Sequence, residues 1–281
     1  KKRQLGSSEL FVSEMGLGCM SLGTDEKEAN YIIKSALDHG VNYFDTADLY
    51  DFGVNEEFVG KALKSVRDEV IVATKVGNKW VDGKDGWSWD ASKAYIKEAV
   101  KKSLLRLQTN YIDLYQLHGG TMEDNHEEVI EGFEELRKEG LIRYYGISSI
   151  RPNVIQSFAS QSNIISVMMQ YSLLDRRPEE WLSILKEHQI SMIARGPIAK
   201  GILTEKTLEK SSISIQENGF LDYSYNQLES LLLSLKDHFS TQRSIQEVAF
   251  QYILSCDVVG SVIPGASNAA QVIDNIKAVQ A

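Results

Sequence analysis

The 281-residue chain has only two cysteines, Cys19 and Cys256, which lie far apart and outside any CxxC or mixed Cys/His array. That scarcity excludes a disulfide framework and a zinc site, so no metal is expected and a reducing cytoplasm is the expected compartment. Basic charge is also short, with 30 Lys and Arg against 39 Asp and Glu, a net charge of −9. Such a balance argues against a nucleic-acid groove or an anionic membrane surface, and any anionic ligand must be bound locally. No stretch approaches the roughly eighteen apolar residues of a membrane span, and the opening "KKRQLGSSELFVSEMGLG" lacks the apolar core of a signal peptide. A soluble protein with no membrane or nucleic-acid partner is expected. The start at Lys1 and the stop at Ala281 are read as a missing initiator Met and a missing C-terminal tail.

Proline is equally sparse, and its four copies all fall at element edges: Pro152 and Pro178 open helices, Pro197 and Pro264 follow strands. Between them the composition, 43% hydrophobic and 25% charged, is that of a globular protein and excludes disordered and fibrous classes. Apolar β-branched runs alternate with amphipathic segments along the chain. Strands are expected at "SEMGLG" near Met15 and over 41–45, 70–75, 111–118, 142–148, 165–170, 190–195 and 258–263. Helices are expected over 26–39, 55–64, 91–107, 126–139, 179–188, 244–254 and 268–278, with Asn55 as the N-cap of the second. Eight βα units fit an α/β fold, a (β/α)8 TIM barrel spanning 1–281 as one domain, with "RQLGSSELFVSE" as a short N-terminal β-hairpin closing the barrel floor. A doubly wound open sheet is the alternative. Its dinucleotide fingerprint fails at "GLGCMSLG", where Ser21 stands in the third glycine position.

Two connections are long. The first, 76–92, carries Trp80, Trp87 and Trp89, which either anchor the loop on the barrel rim or form a substrate wall. The second, roughly 200–224, reads as a polar, mobile segment.

In a barrel the C-terminal ends of the strands converge on one face. Here they deliver Asp45, Lys75 and His118 from consecutive strands, with Tyr50 in the loop after Asp45. Singly, each has an ordinary reading as a turn cap, a rim cation or a core histidine. Together they suit proton donation to a developing alkoxide, because a nearby ammonium stabilises the phenolate of a tyrosine that otherwise titrates near about pH 10. Asp45 would hold Lys75 charged and oriented, and His118 would polarise a carbonyl substrate. Asp48 and Asp51 read as loop-turn residues. His39, His126, His188 and His238 have no metal-ligand company.

The ordered segments "FDTADLYDFGVNEEFVGKAL", "IVATK", "YIDLYQLH", "GISS" and "VIPGASNAAQVIDN" resemble the motifs of the aldo-keto reductases over essentially the whole chain. The resemblance implies Asp45, Tyr50, Lys75 and His118 as a catalytic tetrad. It also implies a nicotinamide coenzyme lying across the barrel mouth without a Rossmann domain, and a small-molecule carbonyl substrate facing Tyr50 and His118, with Trp80, Trp87 and Trp89 of the long loop as the candidate substrate wall. It carries coenzyme contacts onto Gly18, Cys19, Met20 and Asp45, onto Ser148, Ser149 and Gln170, onto Arg195, Gly196, Pro197, Ile198, Lys200 and Gly201, and onto Gly265, Ser267, Gln271 and Asn275. Ser149 replaces a common Asn, and Arg195 stands near the position of a stacking aromatic, where its guanidinium either stacks on the ring or pairs at the rim. The family tendency points to NADPH/NADP+. NADH is the second candidate, because no Lys or Arg lies between Pro264 and Lys277, leaving Lys200 or Lys206 to reach a 2′-phosphate. A Schiff-base aldolase using Lys75 and a coenzyme-binding regulatory barrel of the channel β-subunit type are the competing readings.

Overall fold

The computed structural model of the chain describes residues 1–239 and 242–281. It opens with the hairpin β1 (Lys2–Gln4) and β2 (Phe11–Ser13), followed by β3 (Leu17–Gly18), α1 (Glu26–Asp38), β4 (Tyr43–Asp45), α2 (Val54–Leu63) and β5 (Ile71–Val76). A miniature hairpin, β6 (Asn78–Lys79) and β7 (Ser88–Trp89), precedes α3 (Lys93–Leu107), β8 (Ile112–His118), α4 (His126–Lys138), β9 (Ile142–Ser148), α5 (Pro152–Gln161) and β10 (Ser166–Gln170). The chain continues through α6 (Leu182–Glu187), β11 (Ser191–Arg195), α7 (Ile213–Asn218), α8 (Tyr225–Phe239), α9 (Ile245–Leu254), β12 (Val259–Ile263) and α10 (Ala269–Gln280).

The strands β3, β4, β5, β8, β9, β10, β11 and β12 pair in that order, all in parallel, to form an eight-stranded sheet. Its two ends meet: Gly16 N donates to Val262 O at 2.8 Å, and Val262 N donates to Glu14 O at 2.9 Å. The sheet therefore closes into the expected barrel. Strands buried on both faces explain the continuous apolar runs in the sequence, since helices cover the outside and side chains fill the inside.

The N-terminal hairpin plugs the lower end. Leu5, Leu10 and Val12 are buried in one cluster with the interior side chains Tyr43, Ile71, Leu114, Met168 and Ile193. The turn requires glycine: Gly6 has φ of +54°, and a Cβ there would lie 2.5 Å from the Ile165 carbonyl oxygen. Arg3 fastens the plug by donating to the Leu254 and Val259 carbonyls at 2.7 and 2.9 Å.

The segment 200–224 departs from the polar, mobile connection expected of it. Ile202, Leu203, Leu208, Ile215 and Phe220 are buried with Leu228 and Leu232 of α8, forming a satellite core of their own. The spacing of those apolar residues over two short turns, too irregular for one long helix, hides them in the sequence.

Candidate active site

At the upper end, β4 ends on Asp45 and β5 presents Lys75, both buried. Lys75 Nζ lies 2.6 Å from Asp45 Oδ2, 2.9 Å from the Thr46 carbonyl and 3.1 Å from the Tyr50 hydroxyl. Burial works against the ammonium, but the charge of Asp45 and the oxygen of Tyr50 outweigh it and raise the Lys75 pKa above its ordinary value. Tyr50 begins a tight turn in which Asp51 and Phe52 both take left-handed φ of 49° and Gly53 takes 91°. Two consecutive non-glycine residues there store strain that the surrounding packing must hold, and the turn sets the reach of the tyrosine.

β8 supplies His118, whose ring meets that of Tyr50 edge-on at 6.0 Å. Burial, then Lys75, then Arg195 push the His118 pKa from 6.5 down to about 3. Nδ1 is buried without a hydrogen-bond partner among the described residues. A proton on that nitrogen would be an unsatisfied buried donor, so the neutral ring carries its proton on Nε2, toward the cavity that His118 lines. A histidine whose pKa is depressed by folding contributes stability above its unfolded pKa and loses it as pH falls toward the folded value. Urea midpoints at pH 7 and pH 4.5 are therefore expected to separate further in the native protein than in His118→Gln.

One partner of this group went unread in the sequence. Gln116, fully buried, donates from Nε2 to Asp45 Oδ1 at 2.9 Å and so holds the second carboxylate oxygen. The two-residue period of a strand places it on the face of His118, which is the signal that could have found it.

One reading of the β4–α2 segment needs correction. Asn55 is not the N-cap: α2 starts at Val54 behind Gly53, and the Asn55 side chain accepts from Thr46 Oγ1 at 2.5 Å and donates to the Cys19 carbonyl at 2.7 Å. Asp48 lies in a turn, as expected of it, but is buried there at 1% exposure. Burial and then the neighbouring Glu56 raise its pKa well above the carboxylate range. Glu56 itself is buried and accepts from Thr74 Oγ1 and Arg106 Nε, each at 2.7 Å. The first turn of α2 thus grips Thr46 and Thr74, the residues next to Asp45 and Lys75. Asp51 is exposed, as a loop-turn residue should be.

These groups open on a cavity of about 1190 Å³. Its walls bring together Gly18, Cys19 and Met20 after β3, and Ser148, Ser149 and Gln170 from β9 and β10. The end of β11 and the loop after it contribute Arg195, Gly196, Pro197, Ile198, Lys200 and Gly201, and the loop before α10 and α10 itself contribute Gly265, Ser267, Gln271 and Asn275. Burial, then Asp45, drives the Cys19 thiol upward, which leaves it a packed, unreactive group. Arg195 makes no ion pair among the described residues, against the rim-pairing reading; its Nη1 donates to Gln170 Oε1 at 3.3 Å. Of the three tryptophans, Trp89 lines the cavity. Trp80 packs on Phe52 at 6.0 Å and under Arg106, and Trp87 is exposed. Lys206, the other cation expected to reach a 2′-phosphate, lines it as well, and so does Arg151, which the sequence did not single out. His126, expected near a helix start, is buried and bonded by its two ring nitrogens to Ser157 Oγ and the Thr121 carbonyl.

The donor set fits a nicotinamide dinucleotide. An amide and hydroxyls sit near Tyr50, Arg and Lys side chains give positive charge to the cavity of an acidic protein, and the 12-residue helix α10 starts beside Ser267. The sequence model of the Aldo/keto reductase family matches residues 14–281. The chain belongs to that family. This aldo-keto reductase is 58% identical to "Uncharacterized oxidoreductase YqkF" of Bacillus subtilis, over 100% of its own length and 92% of the relative's. It is 28% identical to L-galactose dehydrogenase of Arabidopsis thaliana, over 99% of its length and 87% of the relative's. Among solved structures, the aldo-keto reductase AKR11C1 from Bacillus halodurans in its holo form superposes with a TM-score of 0.94 at 58% identity, covering 100% of this chain and 91% of that one. The protein is thus an NAD(P)H-dependent oxidoreductase acting on small molecules. The aldolase reading fails on chemistry too, because an ammonium held by three acceptors has no free lone pair to attack a carbonyl. No helix among the described residues is long and apolar enough to cross a membrane.

Proposed function

We propose that this aldo-keto reductase reduces aldehyde and ketone carbonyls to alcohols, as one catalytic barrel unit in the cytoplasm, with Tyr50 as the general acid and NADPH as the preferred coenzyme. The observation that carries the reading is the contact of Lys75 Nζ with Asp45 at 2.6 Å and Tyr50 at 3.1 Å. A bound nicotinamide supplies the hydride. Tyr50 gives its proton to the oxygen on which negative charge develops, and the Lys75 ammonium stabilises the charge left on the phenolic oxygen. Asp45, fixed by Gln116, keeps Lys75 charged and aimed. Neutral His118 donates from Nε2 to the carbonyl oxygen and sets its direction, and Trp89 is the wall behind it.

Ser148, Ser149 and Gln170 are the residues that would hold the carboxamide. Arginine has no acceptor, so the Gln170 oxygen faces Arg195 and its amide N–H groups are free for the coenzyme. The Arg195 guanidinium also supplies a planar face for the ring. Lys200 and Lys206 line the cavity and are the cations that favour a 2′-phosphate. Consumption of NADPH with a panel of small aldehydes tests the activity, and a dissociation constant for NADH equal to or below that for NADPH overturns the coenzyme choice. Arg195→Ala is expected to weaken coenzyme binding several-fold by fluorescence titration; unchanged affinity and turnover would remove Arg195 from the site.

A further inference from the structure

The indole of Trp89 is seated between two barrel-rim loops. A Cβ added at Gly77, where φ is +131°, would lie 2.4 Å from its Cζ3, and one at Gly119 would lie 3.7 Å from it. Its Nε1 donates to Asp124 Oδ1 at 2.8 Å, while Asp124 Oδ2 accepts from the Thr121 amide at 2.7 Å. A single carboxylate therefore joins the β6–β7 hairpin to the loop that follows His118. That loop is braced from its far side, where Arg151 donates to the Gly120 carbonyl at 2.9 Å and the His126 ring meets the Thr121 carbonyl at 2.7 Å. The hairpin is anchored at its other end, where Trp80 packs on Phe52 and under Arg106, and the Asp90 amide donates to the Gly77 carbonyl at 2.8 Å. Its strand pairing is only Asn78 with Trp89 and Lys79 with Ser88, so side-chain contacts such as the Asp124 bond set where the indole sits.

We propose that Asp124 is a specificity-determining positioning residue: by latching Trp89 it fixes an aromatic wall beside His118 that selects flat, apolar carbonyl compounds over small aliphatic ones. This rests on the carbonyl-reducing reading given above. The neighbouring wall is bare backbone at Gly119 and Gly120, and Met20 and Ile150 face the same cavity as exposed apolar side chains. A flat ring gains stacking and apolar contact in such a slot, whereas a two- or three-carbon aldehyde reaches His118 without touching the indole. Asp124 does not line the cavity; it reaches it through Trp89 and through the amide of Thr121, which does.

The test compares 4-nitrobenzaldehyde with propanal in the holoenzyme. Asp124→Leu is expected to raise KM for the aromatic aldehyde about tenfold, as for loss of a hydrogen bond to a charged group. Its kcat, its coenzyme dissociation constant and its KM for propanal keep their native values. Asp124→Asn keeps one acceptor for the two donors, the indole and the Thr121 amide, and is expected to recover part of the aromatic KM, which separates the latch from a general loss of folding. In a Trp89→Phe background the Asp124→Leu change is expected to add less than about twofold, because the two residues act through one contact. Equal rises in KM for both aldehydes, or full additivity in the double variant, overturn the proposal. Benzamide, an unreactive aromatic carbonyl, titrated against the coenzyme-loaded protein by tryptophan emission, reads the wall without turnover. If no aldehyde is reduced yet Asp124→Leu weakens benzamide binding about tenfold, the wall stands and the assigned reaction falls; unchanged benzamide affinity refutes the wall itself.

Discussion

Tyr50→Phe is expected to lower kcat by about 10²–10⁴-fold, the range supplied by a positioned general acid. The substitution removes one oxygen and keeps the ring, so the edge-on contact with His118 and the strained turn through Asp51 and Phe52 persist. Coenzyme affinity is accordingly expected to stay native, and the loss to appear in kcat and kcat/KM together, as it does when an interaction made only in the transition state disappears. Neutral His118 cannot take over as a proton source across the working pH range, because giving up its Nε2 proton would leave an imidazolate. Steady-state kinetics on one aldehyde decide the matter: a variant that turns over at the native rate shows that the proton comes from another group.

The second large effect is expected at Lys75. Lys75→Met replaces the ammonium with a side chain of similar length and leaves Asp45 buried with Gln116 as its remaining partner. Breaking a buried ion pair from one side costs about 3–5 kcal/mol, because the orphaned charge stays desolvated. Denaturant midpoints should show a loss of that size, and the double variant Asp45→Asn/Lys75→Met should be more stable than the sum of the single changes implies. The pH dependence has a definite sign. The Lys75 pKa is raised on folding, so its contribution is complete below the unfolded lysine value of about 10.4 and declines only as pH rises beyond it. Between pH 7 and 9 the native advantage over Lys75→Met should be flat.

What the sequence disclosed follows from what is periodic. Apolar β-branched runs ending in polar side chains mark the strands, and with them Asp45, Lys75 and His118, because barrel topology converts a strand end into a position. Gln116 obeyed the two-residue period of its strand and was passed over for its neutrality. The residues that escaped belong to α2. Local propensity offers Asn55 as a cap, yet Gly53 in the left-handed region opens the helix and frees the Asn55 amide for Thr46 and Cys19. Asp48 and Glu56, a turn residue and a first-turn acid by sequence, are buried only once the chain folds over them. Likewise the Trp89 wall depends on an antiparallel pair of two-residue strands and on Asp124, 35 residues further along the chain, and neither has a local signature. Tertiary contact decides such residues.

The hairpin plug at the barrel floor has a kinetic corollary. With Leu5, Leu10 and Val12 packed among the interior side chains, the cavity has no exit downward. Every molecule that enters the reductase must leave by the same doorway, and two molecules that occupy it at different depths cannot exchange independently. The deeper guest is expected to arrive first and depart last, an order that product-inhibition patterns check. A few apolar side chains at the start of the chain, remote from any chemistry, thereby impose a queue on the traffic at the opposite end.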